Sequence, residues 1–230
     1  MKSEHLVLNE NYNHNQMVFD EIGEDHVATS IDTPMKADAF DMSDEDKIEK
    51  IANHFRQIME TIGLDLSDDS LNGTPKRVAK MFVKEIFKGL DPENKPAPTM
   101  FDNKFGYGRM LVEKDISIFS TCEHHFLPIY GTAHIAYIPS EKVIGLSKLN
   151  RIAQYYAKRP QVQERLTIQI AEELKRVLET DDVAVYIEAR HMCVQSRGVE
   201  DVCSSTVTSE YGGKFTEREY RDEFLATIRS

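Results

Sequence analysis

Five side chains that can bind a metal ion fall into two short segments of the sequence. Cys122, His124 and His125 lie close together, and His191 and Cys193 lie far downstream. Thiolates and imidazoles are the ligands that zinc prefers, and a catalytic zinc site uses three protein ligands and keeps one position for water. Two cysteines and one histidine would complete such a site, which leaves two histidines for proton transfer near neutral pH.

The spacing of these residues leaves two interpretations open. Cys122 and His125 are three residues apart, so a tight turn would direct both towards one ion. His191 and Cys193 are two residues apart, so on a strand they would share a face. In the alternative interpretation the segments are unrelated, each cysteine is a small buried hydrophobe and each histidine is structural. The spacing matches no paired zinc-finger pattern.

The composition narrows the classes of partner. The chain has 230 residues, enough for one good core, and a formal net charge of −11. An acidic surface repels phosphate backbones, which argues against a general nucleic-acid binder. A polyanionic substrate would need a local pocket of cations. No stretch approaches about 18 apolar residues, so the sequence predicts no transmembrane helix, and its polar start predicts no signal peptide.

The cysteine count indicates the compartment. Cys122, Cys193 and Cys203 make an odd number, and two of them lie near histidines. This pattern does not indicate a disulfide framework, so we expect a cytoplasmic protein. Cys203 lies outside both metal-ligand segments, and we expect it to be structural or free.

Polarity and periodicity divide the chain into three parts. Residues 1–42 are acidic and polar, which predicts a flexible or loosely docked tail. Residues 43–100 contain two amphipathic helical patterns and form a predicted N-terminal helical region. Residues 101–230 combine strand and helix patterns and form a predicted α+β domain.

Capping residues predict where the helices begin. Serine or threonine before an apolar stripe predicts helix starts at Ser43, Thr74, Ser147 and Thr216. Pro160 separates the third of these helices from a longer helix predicted at residues 162–178. Glycines predict the ends of the first two helices, at Gly63 and Gly89.

Alternating apolar residues predict four strands, at residues 110–118, 129–138, 183–189 and 204–211. The segment with Cys122 and His125 falls at the turn between the first two strands, which we expect to be antiparallel. The order of elements predicts an α+β fold with an antiparallel sheet.

Several motifs in a fixed order resemble one known family. They are residues 120–128, 145–151, 159–166, 191–193 and 197–199, and the resemblance extends over about residues 45–230. The chain resembles GTP cyclohydrolase I. This resemblance implies that residues 101–230 form a catalytic domain with a tunnelling fold (T-fold), preceded by an N-terminal helical region. It also implies a homodecamer whose active sites use residues from adjacent subunits.

The resemblance also implies the reaction. The family hydrolyses GTP to 7,8-dihydroneopterin triphosphate and formate, the first step of tetrahydrofolate and pterin biosynthesis. It implies Zn²⁺ held by Cys122, His125 and Cys193. His124 and His191 are implied in acid–base catalysis, with His191 as the proton donor to N7 of the purine. Either histidine could instead support the site from the second layer of contacts.

The remaining implied residues bind the substrate. Glu164, with Gln163 beside it, is the implied anchor for guanine, although a glutamate there would also favour the helix dipole. Ser147 is implied near the ribose. The implied triphosphate ligands are Lys148, Arg151, Arg197 and, from a neighbouring subunit, Arg77. A solvated helix face is the alternative for Lys148 and Arg151.

Two other functions remain open at this point. One is a different tunnelling-fold enzyme that acts on a purine or pterin. The other is a noncatalytic oligomeric binding protein stabilised by zinc, which would have a closed site with four ligands and no turnover.

Overall fold

The structure is a computed structural model, and it describes residues 30–230. Most of the predicted acidic tail therefore lies outside the described residues. Residues 30–42 contain a turn at 37–40 and lead into the first helix. The division of the chain at residues 42 and 100 stays a prediction.

The first helix begins as the sequence predicts. Helix α1 is Asp44–Thr61, and the Ser43 side chain caps it by accepting a hydrogen bond from the Asp46 backbone N–H at 3.1 Å. The chain leaves the helix through Gly63, whose φ of +89° lies in the left-handed region that favours glycine. The predictions for Ser43 and Gly63 are confirmed.

The second predicted helix is divided. A short helix α2, Asp69–Asn72, precedes α3, Thr74–Met81, and the N-cap of α3 is Gly73. The prediction of Thr74 as the cap is wrong, because Thr74 is already helical and Pro75 occupies the first turn. After Met81 the chain passes through a π-helical turn, Phe82–Ile86.

Gly89 also has a different role from the predicted helix stop. It lies in a 3₁₀ turn, Lys88–Leu90, and its N–H donates to the Lys158 carbonyl oxygen at 2.9 Å. A Cβ at this position would lie 2.0 Å from the Tyr155 carbonyl oxygen. Glycine therefore permits close approach of two backbone segments here.

A five-stranded sheet forms the centre of the fold, in the order β5-β2-β3-β6-β7. Its strands are β2 Leu111–Cys122, β3 Pro128–Tyr137, β5 Pro160–Gln161, β6 Val183–His191 and β7 Thr206–Tyr211. All pairings are antiparallel except that of β5, which runs parallel to β2. A separate antiparallel pair joins β1 Met100–Asp102 and β4 Lys142–Ile144. The predicted α+β class is confirmed.

Each face of the sheet buries a different cluster. Ile135 and Tyr137 pack with residues of helices α4, Leu146–Ala157, and α5, Gln163–Leu178. Ala136, between them in sequence, points to the opposite face and packs in a smaller cluster with Phe215 and Phe224. This alternation is the period of a strand with apolar residues on both sides. Phe224 belongs to the last helix, α7, Arg218–Arg229.

Two further predicted caps are wrong. Helix α4 begins at Leu146 with Gly145 as its N-cap, so Ser147 lies inside the first turn. Helix α7 has Glu217 as its N-cap, and Thr216 ends a 3₁₀ turn in which its hydroxyl donates to the Gly213 carbonyl oxygen at 2.7 Å. Among the described residues, no helix combines the length and apolar character needed to cross a membrane.

Candidate active site

The turn between β2 and β3, residues 122–127, carries two of the expected metal ligands and is called the metal-binding turn below. The Cys122 N–H donates to the Leu127 carbonyl oxygen at 2.8 Å, and the Phe126 N–H donates to the Cys122 carbonyl oxygen at 2.9 Å. Phe126 adopts a φ of +54°, which lets the chain reverse within these few residues. The predicted turn between antiparallel strands is confirmed. Its hydrogen-bonded backbone fixes the positions from which the side chains of Cys122 and His125 extend.

The second ligand segment reaches the turn through the pairing of β3 with β6. His191 ends β6 and lies opposite Ile129, which is one residue into β3. The chain then forms a short helix, α6, Met192–Gln195. The expectation that His191 and Cys193 share a strand face is therefore wrong, because the backbone becomes helical after His191.

The three predicted metal ligands meet at one place. The donor atoms of Cys122, His125 and Cys193 all lie within 4.8 Å of one another. Zinc–ligand distances of about 2.0–2.3 Å give roughly 3.5–3.8 Å between donors around a tetrahedral ion. Two sulfurs and one imidazole nitrogen grouped this closely fit a zinc ion, with the exposed His125 on the solvent side.

Electrostatics at these donors also suits a cation. Burial, reinforced by the neighbouring Cys122 thiol, raises the pKa of Cys193 to about 11. A divalent cation beside the two sulfurs would favour their thiolate forms. Burial lowers the pKa of His125, and the charges of Arg197 and His124 lower it further. A neutral imidazole is the form that binds a metal.

The two remaining histidines lie in different surroundings. His124 is exposed, and its Nδ1 is 3.7 Å from Cys122 Sγ. His191 is half-buried, and its Nε2 is 2.8 Å from Gln163 Oε1. Burial lowers the pKa of His191, while the negative charge of Glu164 acts in the opposite direction.

The contacts of Gln163 define which atom of His191 carries a proton. Gln163 Nε2 donates to the carbonyl oxygens of Ile187 and Thr206, at 3.2 and 3.0 Å, and to Thr208 Oγ1 at 3.1 Å. Carbonyl oxygens only accept, so the amide oxygen must face His191 and accept from its Nε2–H. Sequence reasoning missed this contact. That Gln163 also contacts substrate stays a prediction.

The first turn of α5 presents three consecutive residues differently. Gln163 and Arg165 are buried, with exposed fractions of 1% and 5%, whereas Glu164 between them is exposed. Arg165 donates to both carboxylate oxygens of Glu123, with distances of 2.5 and 3.4 Å. Sequence reasoning missed this ion pair. The sequence does contain an indication of it. Glu123 is an acid between predicted metal ligands, and a carboxylate in such a place is favoured by a nearby cation.

Arg197, one of the predicted triphosphate ligands, contacts the predicted metal ligand His125. Its Nη1 donates to His125 Nε2 at 2.8 Å. A guanidinium has only donors, so His125 Nε2 is the acceptor. Arg197 itself is exposed.

The other predicted substrate residues lie on separate helices. Ser147 and Lys148 lie in the first turn of α4. Arg151 lies three residues after Lys148, so Lys148 and Arg151 lie on one face of this helix. Ser147 and Arg151 are exposed and Lys148 is half-buried. Arg77 is exposed on α3. Cys203 is exposed and outside this group.

The fold and the site together define a class: an α+β protein with a sheet-supported Cys–His–Cys group suited to a metal ion. Comparison with known proteins gives the family. The family model of GTP cyclohydrolase I matches residues 51–229. The chain therefore belongs to the GTP cyclohydrolase I family.

Individual relatives agree with this match. A GTP cyclohydrolase 1 of Flavobacterium johnsoniae is 59% identical over 215 residues, covering 94% of this chain and 96% of that protein. One from Aeromonas hydrophila is 54% identical over 203 residues, covering 88% and 92%. A solved structure of an archaeosine synthase QueF-Like is 14% identical with a TM-score of 0.35, covering 51% of this chain and 97% of that chain, a likeness too weak to carry an argument.

Proposed function

We propose that this chain is a zinc-dependent GTP cyclohydrolase I that converts GTP to 7,8-dihydroneopterin triphosphate and formate. The observation that carries the proposal is the grouping of the Cys122, His125 and Cys193 donor atoms within 4.8 Å, in a chain of this family. Cys122, His125 and Cys193 would hold the ion. When bound, zinc supplies a Lewis acid that activates water near neutral pH.

Glu164 is the proposed anchor for guanine. Its carboxylate can accept one hydrogen bond from N1–H and one from the 2-amino group. Its two sequence neighbours are buried and bonded inside the protein, so Glu164 is the side chain in this turn that is exposed for a ligand. A site built to bond these two donors rejects a purine that lacks them.

His191 is the proposed proton donor to N7. Gln163 accepts from His191 Nε2, and an amide oxygen does not take up the proton, so Nε2 stays protonated. Proton exchange with the substrate then takes place at Nδ1. The amide also holds the ring orientation, which general acid catalysis requires. His124, exposed beside Cys122, is the second proposed acid–base residue.

The triphosphate is proposed to bind a set of cations. Lys148 and Arg151 lie on α4, and Arg197 extends to His125. This local set would oppose the repulsion of a chain with net charge −11. Ser147, exposed in the first turn of α4, is the proposed contact near the ribose.

The remaining parts of the proposal concern the assembly and its setting. A homodecamer is proposed, in which Arg77 of one subunit completes the triphosphate site of its neighbour. The enzyme is proposed to act in the cytoplasm at the first step of tetrahydrofolate or pterin biosynthesis.

A product assay tests the proposed function. Purified protein is incubated with GTP, with and without a chelator, and the oxidised neopterin product is measured by fluorescence. We expect product that disappears with chelator and returns with added zinc. Cys203→Ala is the matched control, since Cys203 is exposed and is not among the grouped donors. GTP binding without formate release would favour a different tunnelling-fold enzyme.

A further inference from the structure

We propose that the ion pair between Glu123 and Arg165 is a positioning device that holds the metal-binding turn in register with the guanine anchor, Glu164. Both residues act through their neighbours and need not touch the substrate. The inference rests on the proposed zinc site, and it assigns a role to two residues that the proposed mechanism does not use.

The geometry of the pair is restrictive. Arg165 Nη1 and Nη2 reach Glu123 Oε2 and Oε1 at 2.5 and 3.4 Å, so two contacts fix the orientation of the carboxylate. The exposed fractions of the side chains are 5% for Arg165 and 16% for Glu123. When a planar guanidinium bonds both carboxylate oxygens at a largely buried site, the rotation of both side chains is restricted more than by a single contact.

The pair joins two elements that are distant in sequence. Glu123 lies directly between Cys122 and His124, and Arg165 directly follows Glu164. The Glu123 backbone N–H also donates to the Gln161 carbonyl oxygen at 3.0 Å. The side chain and the backbone of one residue thus tie the metal-binding turn to the segment 161–165.

The same helical turn also contacts the other ligand segment. Gln163 holds His191, which is two residues before Cys193. Arg165 and Gln163 therefore connect the first turn of α5 to both segments that supply metal ligands. Movement of this turn would change the distance between Cys122 and Cys193 and the place of Glu164 at the same time.

Energetics argue for a role in geometry over one in net stability. A buried ion pair often contributes no more stability than apolar residues of the same volume, because both charges lose water. Losing one partner is costly, since the other charge is left buried. Contacts that orient metal ligands from behind typically change metal affinity by about 10–100-fold when removed.

The test measures zinc affinity apart from catalysis. The full-length protein is stripped of metal, and its zinc dissociation constant is obtained by competition with a chromophoric chelator. For Glu123→Gln we expect an increase of about 10–100-fold. Cobalt(II) replaces zinc in parallel samples, and we expect the sulfur-to-cobalt absorption band of the variant to shift or weaken.

A matched control comes from the same helix. Glu173 is a buried carboxylate of α5 that pairs with Lys95 at 2.7 Å and Arg176 at 2.7 Å, with an exposed fraction of 6%. Glu173→Gln should lower stability while its zinc dissociation constant stays within about two-fold of wild type, as expected for a distant site.

A double variant separates positioning from stability. Glu123→Gln with Arg165→Met removes both charges, so the unfolding midpoint in urea should recover towards wild type relative to the worse single variant. Zinc affinity should remain low, because the link to α5 is still missing. If Glu123→Gln does not fold, Arg165→Lys, which keeps the charge and loses the two-pronged contact, is measured instead.

The outcomes are distinguishable. Wild-type protein that binds no zinc would overturn the proposed function itself. Wild-type protein that binds zinc, with variants of unchanged affinity and cobalt spectrum, would overturn only the positioning role. Zinc affinity that recovers together with stability in the double variant would also overturn it, since the pair would then be purely structural.

Discussion

The two halves of the candidate site differ in how completely one chain assembles them. In the metal half, the donors of Cys122, His125 and Cys193 lie within 4.8 Å of one another. In the phosphate half, Arg197 contacts His125 at 2.8 Å, whereas Lys148 and Arg151 lie on α4 and Arg77 lies on α3. The three donors lie within three residues of a strand end, so the backbone places these short side chains closely. Long cationic side chains at a surface keep more rotamer freedom until they bind a ligand. A single chain therefore brings the metal-binding donors together.

The largest expected effect is loss of a ligand in the metal half. Cys122→Ala, His125→Ala and Cys193→Ala should each abolish zinc binding and product formation, because the remaining two donors do not make a catalytic zinc site. Metal content by mass spectrometry and neopterin fluorescence check this. Full zinc occupancy in all three variants would contradict the ligand assignment, and Cys203→Ala should behave as wild type.

The next effect separates proton transfer from metal binding within the same half. His191→Ala should retain zinc and GTP binding but lose turnover by ~10²–10⁴-fold, the usual contribution of a general acid. Single-turnover product analysis should then reveal a formylated intermediate. Replacement of the exposed His54 on α1 serves as the control. A His191→Ala variant at wild-type rate would exclude the acid role, and one without zinc would reopen the choice of His125.

A smaller effect is expected at Glu164, the proposed anchor for guanine. Glu164→Ala should raise the GTP dissociation constant by roughly 10–100-fold, the loss expected for hydrogen bonds to a charged group. Zinc content should be unchanged, because Glu164 is not among the grouped donors. Calorimetric titration with GTP measures the constant. Glu164→Gln keeps the size of the side chain and one hydrogen-bond acceptor, so its GTP dissociation constant should lie between those of wild type and Glu164→Ala. An unchanged constant in Glu164→Ala would place the anchor elsewhere.

The metal ligands were predicted from the sequence, whereas the ion pair between Glu123 and Arg165 that lies beside them was not. Residue type and spacing singled out the two ligand segments, and the family resemblance implied Cys122, His125 and Cys193 as the ligands. Alternating apolar residues placed Cys122 and His125 at a turn between strands. Arg165 was missed because an arginine beside an apolar helical stripe is normally solvated, and sequence does not show which acid lies across from it. Glu123 was missed because the sequence does not show which cation lies across from it.

Helix starts show a second limit of local reasoning. Ser147 and Thr74 have the right side chains for caps, yet Gly145 and Gly73 occupy those positions. Glycine tolerates the backbone that precedes a helix, so a neighbouring hydroxyl does not decide the start. Ser43 was predicted correctly because acidic residues follow it and its side chain does cap the helix.

The smallest expected effect is on stability, and it concerns His134, which lies outside both halves of the candidate site. On β3, His134 lies on the face of the sheet opposite to that of Ile135. His134 is buried, and its Nδ1 accepts a hydrogen bond from the Asp115 N–H at 3.3 Å. Burial lowers the pKa of His134, and the charge of Lys114 acts in the same direction, while Asp115 and Glu188 oppose it. The neutral ring is therefore the form that the fold favours.

This shift sets the sign of a pH effect. Because the folded pKa of His134 is depressed, its stabilising contribution is fully present above the unfolded pKa of about 6.5 and is lost as pH falls through the lower folded pKa. Urea unfolding of wild type should therefore show lower stability in acid, and His134→Gln should show a smaller loss over the same range. An identical pH dependence would contradict this.

The central claim is that one zinc ion held by Cys122, His125 and Cys193 supports the opening of the guanine ring. Metal-free protein is reloaded with increasing amounts of zinc, and each sample is divided for zinc analysis and for measurement of formate released from GTP. The account predicts that the rate rises in proportion to zinc content and levels off at one ion per chain. Formate release at the full rate from metal-free protein would contradict it.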